Sequence, residues 1–157
     1  MITIYFSDSI GVRGNCLYPY RHEVMDAAGL REAVMHDYVC AEYKNSYRSG
    51  GNFITSNCLG MDCDNDHTDH EHEWITPDDV RCNFPDVPLA IHFSRHHMKP
   101  KDQKSARPRF HCLFAIEPTT DVKAYADMKA RLNALFPYFD AQALDGARFF
   151  FGTDNPE

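Results

Sequence analysis

The stretch Leu59-Gly60-Met61-Asp62-Cys63-Asp64-Asn65-Asp66 constrains this chain more than any other. Apolar residues run into aspartates spaced one residue apart, and side chains at i and i+2 of a β-strand point to the same face. Asp62 and Asp64 therefore project together. Two carboxylates that close repel each other, and one pKa rises unless positive charge lies between them. A hard divalent cation relieves the repulsion, and an all-oxygen donor set suits Mg²⁺ or Mn²⁺. The plainer alternative is a solvated acidic turn at a strand end, so the rest of the chain has to decide between the two.

With 157 residues the chain can bury a sizeable core, and residues 1–157 form one domain, whole or part of a longer protein. A hydrophobic share of 43% with 25% charged residues suits a soluble globular protein. No apolar run approaches the roughly 18 residues of a membrane span. Met1-Ile2-Thr3-Ile4-Tyr5-Phe6 lacks the basic start and long apolar core of a signal peptide, so a cytoplasmic protein with no membrane partner is expected. Cys16, Cys40, Cys58, Cys63, Cys82 and Cys112 contain no C-x-x-C pair and are expected as buried small apolar residues. The net charge of −7 argues against nucleic acid only on average. Between Asp62 and Asp79 lie eight acids and no Lys or Arg, whereas Arg95 to Arg109 carries six Lys or Arg against Asp102 alone. Segregated acidic and basic patches suit a site that holds metal ions and phosphates together.

Along the chain, residues 2–6 and 15–18 read as short strands, with Gly11 and Gly14 in their connection. Asp26 caps a helix running to about His36, with Leu30, Ala33 and Val34 inward. Residues 38–43 are a strand or extended segment, and Phe53 to Asp64 returns as extended chain. Residues 65–75 form an acidic, histidine-rich loop. Thr76-Pro77-Asp78-Asp79 opens a short helix. Leu89 to Phe93 and Phe110 to Ile116 form a hairpin around the basic loop 98–108. Asp121 to Phe136 is the clearest helix, with Val122, Tyr125, Met128 or Lys129, Leu132, Leu135 and Phe136 on one stripe, and Pro137 ends it. Arg148 to Phe151 is a last strand. The order of elements predicts an α+β fold with a largely antiparallel sheet.

Two further constellations bear on chemistry. Arg107, Arg109 and His111 alternate before the apolar run Cys112-Leu113-Phe114, which would set three proton-donating groups on one strand face. Phosphate is their natural partner, and a satisfied core histidine is the plain alternative. Near the C-terminus Phe139-Asp140 precedes Asp145 and Arg148, which heads an aromatic strand. The loop containing His67, His70 and His72 invites comparison with a zinc site, but its spacing is looser than structural zinc sites use.

Taken in order, these motifs resemble the archaeo-eukaryotic primase superfamily, the primase-polymerases. Its first motif is a pair of acids on one strand, matched by Asp62 and Asp64. Its second, Ser-x-His before apolar residues, is similar to Arg109-Phe110-His111-Cys112-Leu113-Phe114, although Arg109 stands where serine is usual. Ser94-Arg95-His96 spells the motif literally, but basic residues follow it, so His96 and His97 are held in reserve. The third, an acid after an apolar residue with an arginine downstream, fits Phe139-Asp140 and Arg148, with Asp145 competing for the place of Asp140. The resemblance covers roughly residues 40–152.

The resemblance implies an RNA-recognition-like antiparallel sheet flanked by helices, with an N-terminal α/β portion. It implies template-directed nucleotidyl transfer on single-stranded DNA from nucleoside triphosphates. Asp62, Asp64 and Asp140 would hold two Mg²⁺ or Mn²⁺ ions. His111, Arg109 and Arg148 would clamp the nucleotide's phosphates. Lys44 and Arg48 would face template or triphosphate, and Lys99, Lys101 and Lys104 would follow the template backbone. Proteins of this kind on plasmids, phages and integrated elements often carry a helicase after the catalytic core. Two other classes compete. A rolling-circle replication endonuclease would use Tyr125 beside Lys129 as its nucleophile, although His92-Phe93-Ser94 lacks that family's second histidine. A non-catalytic nucleic-acid-binding module would need none of the acids.

Overall fold

Alternation of buried and open positions along short runs builds the fold mostly from hairpins. The structure is a computed structural model that describes residues 1–154 and 156. In chain order the described residues form β1 (Ile2–Phe6), β2 (Tyr20–Val24), α1 (Ala27–Val34), β3 (Tyr38–Val39), β4 (Glu42–Tyr43), β5 (Phe53–Cys63), α2 (Pro77–Asn83), β6 (Leu89–Phe93), β7 (Phe110–Thr119), α3 (Val122–Leu135) and β8 (Phe149–Phe150). The class is α+β and every strand pairing is antiparallel.

The strands do not form one sheet. They make two four-stranded sheets, in the orders β2-β1-β3-β8 and β4-β5-β7-β6. The segment expected as a single strand over 38–43 is two strands of two residues each, and the chain passes from one sheet to the other through Cys40 and Ala41. The Ser56 hydroxyl donates to the Cys40 carbonyl at that crossing. The strand expected at 15–18 is also displaced, to Tyr20–Val24. Asn15 turns the chain first, accepting from the Leu17 N–H and donating to the Leu17 carbonyl at 3.0 Å each, so Leu17 makes only a bridge to Tyr47.

Helix α1 is capped by the Asp26 side chain and buries Leu30, Ala33 and Val34 against Ile2, Ile4 and Val24. Helix α2 starts on a reciprocal capping box between Thr76 and Asp79, with Pro77 in its first turn. Helix α3 buries Tyr125 and Lys129, while Leu135 is 74% exposed, so the apolar stripe stops short of the helix end. The Tyr125 hydroxyl donates to the Cys58 carbonyl at 2.9 Å.

Strand β5 separates two cores. Leu59, Met61 and Cys63 join Phe110, Cys112, Phe114, Tyr125 and Phe139 on one side. Cys58 joins Tyr38, Cys40, Leu113, Phe150 and helix α1 on the other. By the strand period Gly60 and Asp62 share the Cys58 side. A Cβ on Gly60 would lie 2.7 Å from both Cys40 Sγ and Phe150 Cε2. Gly60→Ala should therefore cost about 1–3 kcal/mol by overpacking, read by denaturant unfolding. An unchanged midpoint would show that the two sheets do not close tightly at this point.

Candidate active site

The end of β5 carries Asp62 and Asp64 into a cleft of about 600 Å³ between the two sheets. Asp140 reaches the same cleft because Phe139 is anchored in the core and the Asp140 N–H donates to the Asp62 carbonyl at 2.8 Å. Arg148, at the entry to β8, completes the group. Its Nη2 lies 3.1 Å from Asp62 Oδ2 and 4.0 Å from Asp140 Oδ2. Lys101 donates to Asp64 Oδ2 from the basic loop. Asp145 stands apart. It is exposed, accepts from the Ala147 N–H at 2.7 Å within its own turn, and does not line the cleft.

Asp62 is the most perturbed of these acids. It is 6% exposed, and its Oδ1 has no hydrogen-bond partner. Burial, and then the Asp64 charge, push its pKa up to about 7, against the pull of Arg148 and Lys101. Behind it sits a buried polar cluster. His111 Nε2 lies 3.7 Å from Asp62 Oδ1, and His111 Nδ1 lies 3.3 Å from both the Tyr38 hydroxyl and His92 Nε2. The Tyr38 hydroxyl is 2.7 Å from His92 Nε2, and His92 Nδ1 is 3.0 Å from the Phe93 carbonyl. Burial draws the His92 pKa down to about 4 and holds that of His111 well below the usual histidine range.

Several expected phosphate contacts lie elsewhere. Arg107 and Arg109 precede β7, so the strand period does not align them with His111. Arg109 is 0% exposed and donates to the carbonyls of Lys99 (2.7 Å) and His96 (3.3 Å), which withdraws it from any nucleotide. Arg107 donates to the Asn65 and Thr68 carbonyls and pairs with Asp69 at 2.9 Å. Lys104 also pairs with Asp69, at 3.1 Å. The acidic and basic stretches thus partly neutralise each other. Lys44 is exposed in a tight turn and does not line the cleft. Arg48 donates to the Ala147 carbonyl at 2.9 Å and lies over the Phe149 ring. His97 stacks on Phe93, and the rings of His70 and His72 are exposed.

Other residues line the cleft that no motif pointed to. Arg13 and Arg95 line it with His96, and neither arginine has an ion pair among the described residues. Arg95 lies over the Phe151 ring at 4.5 Å, and its Nε is 3.3 Å from His96 Nε2. Among the described residues no three His, Cys, Asp or Glu side chains stand ready-arranged around a metal position. Arg148 and Lys101 stand against the carboxylates instead.

The two sheets and their flanking helices have the fold of an archaeo-eukaryotic primase catalytic domain. The chain is similar to the AEP domain of the primase-polymerase of cyanophage S-2L, with a TM-score of 0.52 and 17% identity, over 96% of this chain and 72% of that one. No protein-family model matches the sequence, and no curated protein sequence matches it.

The Asp62 pKa lies above that of a free aspartate, so the folded protein binds more protons than the unfolded chain between about pH 4 and 7. Its contribution is therefore most stabilising at the acid end and is lost as pH rises through that window. Without metal, Asp62→Asn should gain stability relative to the parent as pH is raised from 4 to 8, as followed by chemical denaturation. A difference between the two proteins that stays constant across this range would contradict the assignment.

Proposed function

We propose that the protein is a template-directed nucleotidyltransferase of the primase-polymerase kind, joining nucleoside triphosphates on single-stranded DNA. The convergence of Asp62, Asp64 and Asp140 on one cleft supports this most directly. The set fits hard divalent cations. It offers only carboxylate oxygens, and one of them, Asp62 Oδ1, is buried without a partner. Mg²⁺ or Mn²⁺ held there would supply charge neutralisation at the triphosphate and activation of the attacking hydroxyl.

The chain's own groups carry the remaining tasks. Arg148 sits between Asp62 and Asp140, where it can neutralise the acids or turn toward a triphosphate. Arg13 and Arg95 supply cleft cations not committed to an acid, and so take the phosphate-clamping role first expected of Arg109 and Lys44. Lys101 must leave Asp64 for that carboxylate to bind metal. Lys99, which is exposed, remains free to meet template phosphates. In a longer replication protein, a helicase would be a suitable partner.

The endonuclease alternative is disfavoured by Tyr125. A covalent nucleophile needs an accessible hydroxyl, whereas Tyr125 is 3% exposed with its hydroxyl on the Cys58 carbonyl. Extension of a labelled primer on a single-stranded template tests the proposal. Asp62→Asn and Asp140→Asn should each lower incorporation at least about a hundredfold, since even residues behind metal ligands cost up to that much. Tyr125→Phe should leave it nearly unchanged. Incorporation that survives Asp62→Asn, or labelled DNA joined to the parent protein but not to Tyr125→Phe, would overturn the proposal.

A further inference from the structure

The buried cluster behind Asp62 specifies where its protons lie. Tyr38 comes from one sheet, and His92 and His111 face each other across the β6–β7 pairing of the other. Their exposures are 0%, 2% and 5%, so water does not supply alternative partners. His92 Nδ1 faces a carbonyl, which only accepts, so that nitrogen carries the proton and Nε2 is bare. The Tyr38 hydroxyl, 2.7 Å from the bare Nε2, must donate to it. Its hydrogen is then used, and both neighbours of His111 Nδ1 present lone pairs, at 3.3 Å each. His111 Nδ1 therefore carries hydrogen. In the neutral ring, Nε2 is bare and faces the unpaired Oδ1 of Asp62 at 3.7 Å.

We infer that Tyr38 and His92 are positioning residues that hold His111 as the Nδ1-protonated neutral ring, so that His111 Nε2 and Asp62 Oδ1 form an acceptor subsite for a sugar hydroxyl. The hydroxyl role rests on the nucleotidyltransfer reading above, whereas the proton placement does not. A bare Nε2 repels a phosphate oxygen and attracts an O–H, so this subsite replaces the phosphate clamp first expected of His111. Two facing acceptors too far apart to bond each other are both served by a donor placed between them. The hydroxyl has two sources, the incoming nucleotide and the primer terminus.

Nitrogen-15 NMR of histidine-labelled protein reads the proton placement, with the His111 signals assigned by their loss in His111→Gln. The parent protein should show a protonated Nδ1 and a bare Nε2. In His92→Phe the Tyr38 hydroxyl loses its acceptor and donates to His111 Nδ1, so the proton should move to Nε2. Tyr38→Phe should leave it on Nδ1, because His92 Nε2 still accepts. If His92 only packed, His92→Phe would lower stability without moving the proton. A parent spectrum with the proton on Nε2 overturns the inference without any variant having to fold.

Equilibrium binding reads the hydroxyl in two arms. One compares ribo-, deoxy- and dideoxynucleoside triphosphates without primer. The other compares primers ending in a 3′-hydroxyl or a 3′-hydrogen without nucleotide. Loss of the recognised hydroxyl should weaken binding about tenfold in one arm, and His92→Phe should abolish that discrimination. Equal affinities in both arms would overturn the subsite. A proton on Nδ1 with no binding of nucleotide or primer would instead remove the nucleotidyltransferase reading.

Discussion

A carboxylate buried with one oxygen unpaired is the constraint on which the rest of this structure turns. Removing Asp62 from water disfavours its charge, and Asp64 two residues on adds to the penalty. The fold answers with groups far apart in the chain. Arg148 arrives from the last strand to meet Oδ2, and the Asp140 N–H fastens the third acid to the Asp62 backbone. The two-sheet arrangement makes this closure possible, because Tyr38, Phe150 and Arg148 belong to one sheet or its edge and Asp62 and His111 to the other. Gly60 lets Phe150 and Cys40 approach β5 at the point where the cleft begins.

The same principle explains how charge is apportioned. An acidic loop and a basic loop adjacent in space satisfy each other first, and only what is left over can serve a ligand. Arg107, Arg109 and Lys104 are held by carbonyls and loop acids. Arg13 and Arg95 are left over, on a wall tied down by Asp37, which accepts from the N–H groups of Gly11, Val12 and Gly152 at 2.7–2.8 Å. That carboxylate joins the N-terminal loop to the chain beyond β8, and so fixes Arg13 and Phe151 relative to the cleft.

Elements with a strong local signal were legible in the sequence. The capping residues of α1, α2 and α3, the β6–β7 hairpin and the Asp-x-Asp strand all follow from short-range chemistry. The second sheet was not legible, because strands of two residues such as Tyr38–Val39 and Glu42–Tyr43 carry no measurable period. Arg109 could not be assigned from its charge, since carbonyls supplied by a loop leave no mark in composition. Tyr38 and His92 look like core residues, but the hairpin register held a clue, because pairing Phe93 with Phe110 sets His92 opposite His111. Arg13 and Arg95 left no such trace, as their position depends on loops brought together only by the folded chain.

The central claim is that Asp62, Asp64 and Asp140 form one divalent-cation site at the meeting of the two sheets. Anomalous diffraction from crystals of the protein with Mn²⁺ and a nucleoside triphosphate tests it most directly. The account predicts manganese peaks bound by Asp62, Asp64 and Asp140, with Lys101 displaced from Asp64. Manganese bound instead at the His67–His72 loop, or no peak within reach of Asp62 while nucleotide occupies the cleft, would contradict it.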